Sequence, residues 1–201
     1  MEHEVTYFRR ESAFGRLTRS GPLQWADSVR IAAGVADELA RAHARGTVHG
    51  AVSPQHVLLG ATDQPVLTGF GDTPPAVEST DAIPELLHTA PEVLDGDRPR
   101  PAADIYSLGA TLHHLLTGLP PFPLRPQDTF ASWFVRIVMQ PAPALPAHLP
   151  VDLRRLVGSA LAKDRFDRPT SATEFATRLR HLLPVVGVGR AIPMRRRPPE
   201  S

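Results

Sequence analysis

Cysteine is absent from all 201 residues. That excludes disulfides, thiolate catalysis and cysteine-ligated metal, and it fits the reducing cytoplasm expected as this chain's compartment. Lysine is almost absent: of 22 basic residues only Lys163 is a lysine, so any chemistry that needs a lysine amine has one candidate. No stretch approaches the roughly 18 apolar residues that a membrane span requires. The opening Met-Glu-His-Glu lacks the basic and apolar regions of a signal peptide. A net charge of +1 gives no broad electrostatic reason to expect nucleic acid or a membrane surface as partner. The motifs G-x-S-x-G, H-E-x-x-H and the phosphate-binding P-loop do not occur.

What is present is ordinary for a globular protein, with 42% hydrophobic and 21% charged residues. The length suits one domain with a sizeable core, or two small ones. "EVTYFRR" reads as a short strand and "SAFGRLTRS" as a helical turn, closed by Gly21-Pro22. Val29, Ala32, Ala33, Ala36, Leu39, Ala40 and His43 then recur at helical spacing, predicting a helix of about five turns by the 3.6-residue repeat. Asp27 is its expected N-cap and Gly46 its stop. "HVLLG" and "QPVLTGF" flank the polar Ala61-Thr62-Asp63 and predict a β-hairpin, and the three prolines from Asp72 to Glu85 predict a loop.

"ADIYSLGATLHHLLTG" is apolar nearly all round, which predicts a helix buried on most sides. Further helices are expected at Phe130–Met139, at Val151–Leu161 and from about Ser171 to Leu183, the last capped by Thr170 or Ser171 with Glu174 beyond. His113 and His114 point about 100° apart on a helix and are read as core or groove residues rather than half a metal site. Trp25 and Trp133 are read as packing residues. From Pro184 the chain turns Gly- and Pro-rich and ends "MRRRPPES", a solvated tail expected to be disordered over 184–201. Its Gly187-Val188-Gly189 is a tail feature.

This order, a mostly α body with a small β-hairpin, carries a set of motifs in sequence. They are His49-Gly50-Ala51-Val52-Ser53-Pro54-Gln55-His56, Gly69-Phe70-Gly71, Ala90-Pro91-Glu92, "DIYSLGATLHHLLTGLPPF" and "LAKDRFDRPTSATEF". Together they resemble the large C-terminal lobe of bacterial eukaryotic-like (Hanks-type) serine/threonine protein kinases. Those enzymes have H-R-D-x-x-x-x-N, D-F-G and A-P-E at the first three places. The resemblance assigns residues 1–183 to a kinase-like C-lobe. It implies structural roles for His49, Phe70, Gly71, Glu92, Asp104 and Arg168. His49 and Phe70 would pack the first two loops together, Asp104 would hold the first loop by its backbone, and Glu92 would pair with Arg168.

The family uses ATP and magnesium, and phosphoryl transfer by it is mostly positioning and charge neutralisation. Against that requirement the aligned positions are empty of chemistry. The proton-accepting aspartate is Ala51, and the lysine that approaches the transferred phosphate is Ser53. The two magnesium ligands are His56 and Gly69, whereas magnesium prefers oxygen. Asp72 is the carboxylate nearest Gly69 in sequence. Lys163 comes far too late to be the strand lysine of a small lobe. Only 48 residues precede His49, so that lobe is expected to be absent or reduced to a remnant strand. The expected metal and cofactor set is therefore none, and the expected role is a non-catalytic, pseudokinase-like module acting through a protein partner. The alternatives are a divergent kinase completed by a small lobe in trans, or a decayed gene fragment. Pro84-Glu85-Leu86-Leu87-His88-Thr89 also departs from the family's usual Gly-Thr before the anchor, which puts ordinary peptide docking in doubt. Ser79 and Thr80 are possible targets of another kinase.

Overall fold

A computed structural model describes residues 11–60, 64–71 and 86–183. The early strand, the hairpin turn, the loop 72–85 with Asp72, Ser79 and Thr80, and the tail 184–201 lie outside the described residues. Among the described residues the chain runs β1 (Glu11–Ser12), α1 (Ala13–Ser20), α2 (Trp25–Ala44), β2 (Val57–Leu59), β3 (Pro65–Leu67), α3 (Pro91–Leu94), α4 (Pro101–Thr117), α5 (Phe130–Met139), α6 (Val151–Ala160) and α7 (Ala172–Leu182). A 3-10 turn, Arg165–Asp167, sits between α6 and α7.

Helix α4 is the centre of this body. Every residue from Ala103 to Leu116 is buried, as its lack of a polar face predicts. Pro101 opens it at N1, where the missing N–H costs nothing, and Gly118 closes it at φ +82° with its N–H on the His114 carbonyl. Helices α2, α6 and α7 pack round it, and α2 lies along α7. Their apolar faces meet in one cluster that includes Val29, Val35, Leu39, Leu108, Leu112, Leu153, Leu156, Phe175 and Leu179. A second cluster, Leu86, Leu94, Phe122, Trp133 and Ile137, attaches α5 and the segment before α3. Trp133 is fully buried, and its indole N–H reaches the Phe122 carbonyl at 2.9 Å. Trp25 is half-buried against the main cluster.

Two expectations change. Helix α2 begins at Trp25 and its N-cap is Gln24, whose carbonyl accepts from the N–H groups of Asp27 and Ser28. Asp27 lies inside the first turn, where it complements the helix dipole and pairs with Arg30. The backbone carbonyl of Gln24, rather than a side-chain cap, closes this end. The sheet, too, is more than a hairpin: β1 pairs antiparallel with the outer edge of β2, Glu11 opposite Leu59 and Ser12 opposite Leu58. A two-residue strand carries no period-2 pattern to read. Elsewhere Gly46, at φ +75°, stops α2 with its N–H on His43 O. Ser171 caps α7 through the Glu174 N–H, and Thr129 and Ser132 cap α5 reciprocally.

The hairpin is seated on α2 by a close approach. A Cβ at Gly34 would lie 2.5 Å from Pro65 Cγ and 2.8 Å from Pro65 Cδ, closer than packed carbons allow. Gly34 thus lets β3 settle on the helix and aims residues 68–71 at the loop after α2. Gly34→Ala should destabilise the fold by about 1–3 kcal/mol through overpacking, although alanine is the better helix former. Urea unfolding of the two proteins, compared at equal slope, measures this.

Candidate functional site

The loop between α2 and β2 is held from below by one carboxylate. Asp104, in the first turn of α4, has no exposed surface. Its Oδ1 accepts from the Gly50 N–H at 2.7 Å. Its Oδ2 accepts from the His49 N–H at 2.9 Å and from His43 Nε2 at 2.7 Å. A buried carboxylate is tolerable only when so paired. The result is that three segments, α2, the loop and α4, meet at one side chain.

His49 then fixes the loop to the strand side. Its Nε2 donates to the Thr68 carbonyl at 2.8 Å, and its Nδ1 accepts from the Ala51 N–H at 3.2 Å. These two bonds select the tautomer with the proton on Nε2. The Phe70 ring lies 4.6 Å from the imidazole centre. Thr68 returns both its N–H and its hydroxyl to the His56 carbonyl. The structure therefore brings His49, Phe70 and Asp104 together round this loop. Gly69 sits at its edge with φ +83°, a left-handed backbone that glycine adopts without a Cβ penalty.

His56 is turned inward. Its Nδ1 lies 2.7 Å from the Ala51 carbonyl, so that nitrogen carries a proton and donates it. Ser53 Oγ, 3.4 Å from the same nitrogen, meets a donor there and not a base. A serine–histidine nucleophile through Nδ1 is thereby excluded. The imidazole is a brace across residues 51–56. The groups offered at the four aligned positions are a methyl (Ala51), a hydroxyl (Ser53), an imidazole (His56) and a hydrogen (Gly69). A hard, oxygen-seeking magnesium ion does not fit that set. Among the described residues no group of three or more His, Asp or Glu is placed to hold a metal ion.

Glu92 and Arg168 meet on the far side of α4. Arg168 Nη1 and Nη2 grip the two carboxylate oxygens at 2.7 and 2.8 Å. The remaining donors go to the carbonyls of Ala162, Ala102 and Lys163, so all five guanidinium N–H groups are used. The Tyr106 ring lies 5.0 Å from Cζ.

Sequence reasoning missed a histidine pair beside the anchor. His88 Nε2 and His114 Nδ1 are 3.0 Å apart, with the rings nearly parallel. The partners are 26 residues apart, so no local pattern announces them. His113 turns away and bonds the Leu119 carbonyl. Burial first, then the neighbouring histidine charges, push His88 down to about 3 and His114 to about 4.

Two outcomes follow from this geometry. Asp104→Ala should cost about 3 kcal/mol by leaving buried donors unpaired, and hydrogen exchange at the His49 and Gly50 amides should quicken beyond the global change. The histidine pair is neutral when folded and protonates below about 6.5 when unfolded. The unfolded state then binds more protons, so stability present above pH 6.5 is lost as pH falls toward 4 and 3. By pH 5.5 the loss should be about 1 kcal/mol per histidine. Urea titrations of the wild type and of the His88→Leu/His114→Leu double variant should show the slope flattened in the variant.

With this geometry in view, comparison with known proteins is specific. The protein kinase domain family matches the chain over residues 4–181. The chain is similar to serine/threonine-protein kinase PknK of Mycobacterium bovis, 36% identical over 181 residues, covering 88% of this chain and 16% of PknK. It is equally similar to serine/threonine-protein kinase PkaB of Streptomyces coelicolor, 36% identical over 184 residues, covering 85% and 43%. The probable serine/threonine-protein kinase PkwA of Thermomonospora curvata is 36% identical over 161 residues, covering 78% and 21%. The chain spans less than half the length of each of these relatives. Since the match runs unbroken from before the Asp104-anchored loop to beyond Arg168, the chain belongs to the protein kinase domain family.

Proposed function

We propose that this kinase-family domain is a pseudokinase: a C-lobe scaffold over residues 1–183 that binds a protein partner and does not transfer phosphate. In this reading it works in the cytoplasm, needs neither ATP nor magnesium, and carries 184–201 as a solvated tail. The observation that carries the proposal is Ala51. The loop around it is held by Asp104 and His49 through backbone bonds, yet it presents a methyl group where the reaction needs a proton acceptor. Absence of a general base alone slows such a step by roughly 10²–10⁴. His56, committed to the Ala51 carbonyl, and Gly69 add no oxygen ligand.

Helix α5 supports the partner role. Val135, Val138 and Met139 stand at i, i+3 and i+4 and so share one face. All three are exposed, Met139 by 75%. An apolar stripe of that kind on a surface helix is suited to protein contact.

The names of the relatives favour a second reading, an ATP-dependent serine/threonine kinase with a divergent site. One experiment separates the two. Under the first reading, the purified chain titrated with ATP, with and without magnesium or manganese, should show no metal-dependent rise in melting temperature. It should also transfer no γ-phosphate label to serine or threonine. EDTA-sensitive labelling by the recombinant protein establishes the second reading instead.

A further inference from the structure

The one lysine of the chain takes no part in the site above. Lys163 follows α6, and its carbonyl accepts from Arg168. Its side chain carries Nζ to 4.3 Å from the centre of the Phe122 ring. There the amine is shut off from solvent, and none of its three N–H groups finds an acceptor among the described residues. An aromatic face attracts a cation, but it does not satisfy the donors of a buried ammonium. Burial first, then the Arg168 charge, lower this amine to about 8, which leaves it mostly cationic at neutral pH.

A cavity lies on each side of this residue. The larger, about 390 Å³, is walled by the connection Pro141 to Leu145, by Val157, Gly158 and Leu161, and by Arg154. The smaller, about 250 Å³, is bordered by Glu92 and Asp95 as well as Phe134 and Val138. Their charges differ in sign. Among the described residues the larger is lined by Arg154 and Lys163 and by no acid, the Lys163 amine itself resting over Phe122. Arg154 commits only Nε, to the Leu149 carbonyl at 3.2 Å. Its volume is within the range of roughly 300–1,000 Å³ usual for small-molecule sites.

We propose that the larger cavity binds a small aliphatic monocarboxylate. The hydrocarbon chain lies against the proline-rich connection, Val157 and Leu161. The carboxylate lies between Arg154 and Lys163, the lysine turning off Phe122 about its four flexible side-chain bonds to meet it. The smaller cavity is unsuited to the same ligand, because Glu92 and Asp95 repel an anion. The site stands whether or not the domain transfers phosphate.

Calorimetric titration of the whole chain with octanoate tests this, with octylamine as a probe of equal length and opposite charge. Octanoate should bind saturably with Kd on the order of 0.1–1 mM for a ligand of about ten heavy atoms, and octylamine should not. Lys163→Met should weaken octanoate at least tenfold. Gly158→Leu gives an independent check. Gly158 lines the cavity and a Cβ there meets nothing within 4 Å, so a leucine has open space beside the ligand, and leucine is the better helix former. That variant should melt no lower than the wild type and should lose octanoate binding. Absence of saturable octanoate binding overturns the proposal, as does unchanged affinity in the folded Gly158→Leu protein.

Discussion

The carboxylate of Asp104 is the constraint on which the arrangement rests. It has no exposed surface, and its two oxygens serve donors from helix α2 and from the loop that follows it. Removing one partner from such a group leaves buried charge or buried N–H groups without compensation, which costs several kcal/mol. Each of the three segments is therefore pinned by the needs of the other two. The same bonds fix the backbone of residues 49–51, whatever side chain stands at 51. Support of the loop therefore does not depend on the side chain at 51, which in this chain is an alanine.

Arg168 makes the same point from the other face of α4. Its five N–H groups are divided among Glu92 and three carbonyls. Through them the connection after α6 is tied to the starts of α3 and α4. Such a residue is retained by folding itself, because a lysine or a neutral side chain would leave carbonyls and a carboxylate unmet. A catalytic carboxylate has no such hold. Two acids converging near Ala51 and Gly69 would repel each other without a cation, so their absence would relieve strain in a domain that, as proposed, works without metal. The contrast between kept scaffold and absent acids thus has an energetic basis, and it favours the non-catalytic reading.

Legibility in the sequence followed the range of the interactions. The all-round apolar run of α4, the bounds Phe130–Met139 and the Ser171 cap with Glu174 are local facts, and they were readable because period and capping act within a few residues. The hairpin was readable for the same reason. What escaped depends on distant partners. Strand β1 is too short to show alternation and exists through its pairing with β2. Asp27 has the chemistry of a cap, but the helix already starts at Trp25, two residues ahead of it. The His88–His114 contact and the seating of Lys163 over Phe122 join residues that no spacing rule connects. Of the candidate site, the motif order named His49, Phe70 and Asp104, which the structure brings together, while the inward turn of His56 was not legible, since it depends on where the Ala51 carbonyl points.

That turn of His56 bears on how the loop keeps its shape. A loop that carries metal ligands holds polar groups open to solvent, and the ion organises them when it arrives. Here the corresponding side chain closes on its own backbone, His56 to the Ala51 carbonyl, while Thr68 closes on His56 O and His49 on Thr68 O. The bonds form a circuit among residues 49, 51, 56 and 68 that needs neither ion nor nucleotide to complete it. A loop satisfied in this way is already ordered before any partner arrives, so little conformational entropy remains to be lost there on association. Histidine and threonine thus hold this loop by bonds within the chain, a property that suits the fixed binding surface proposed for it.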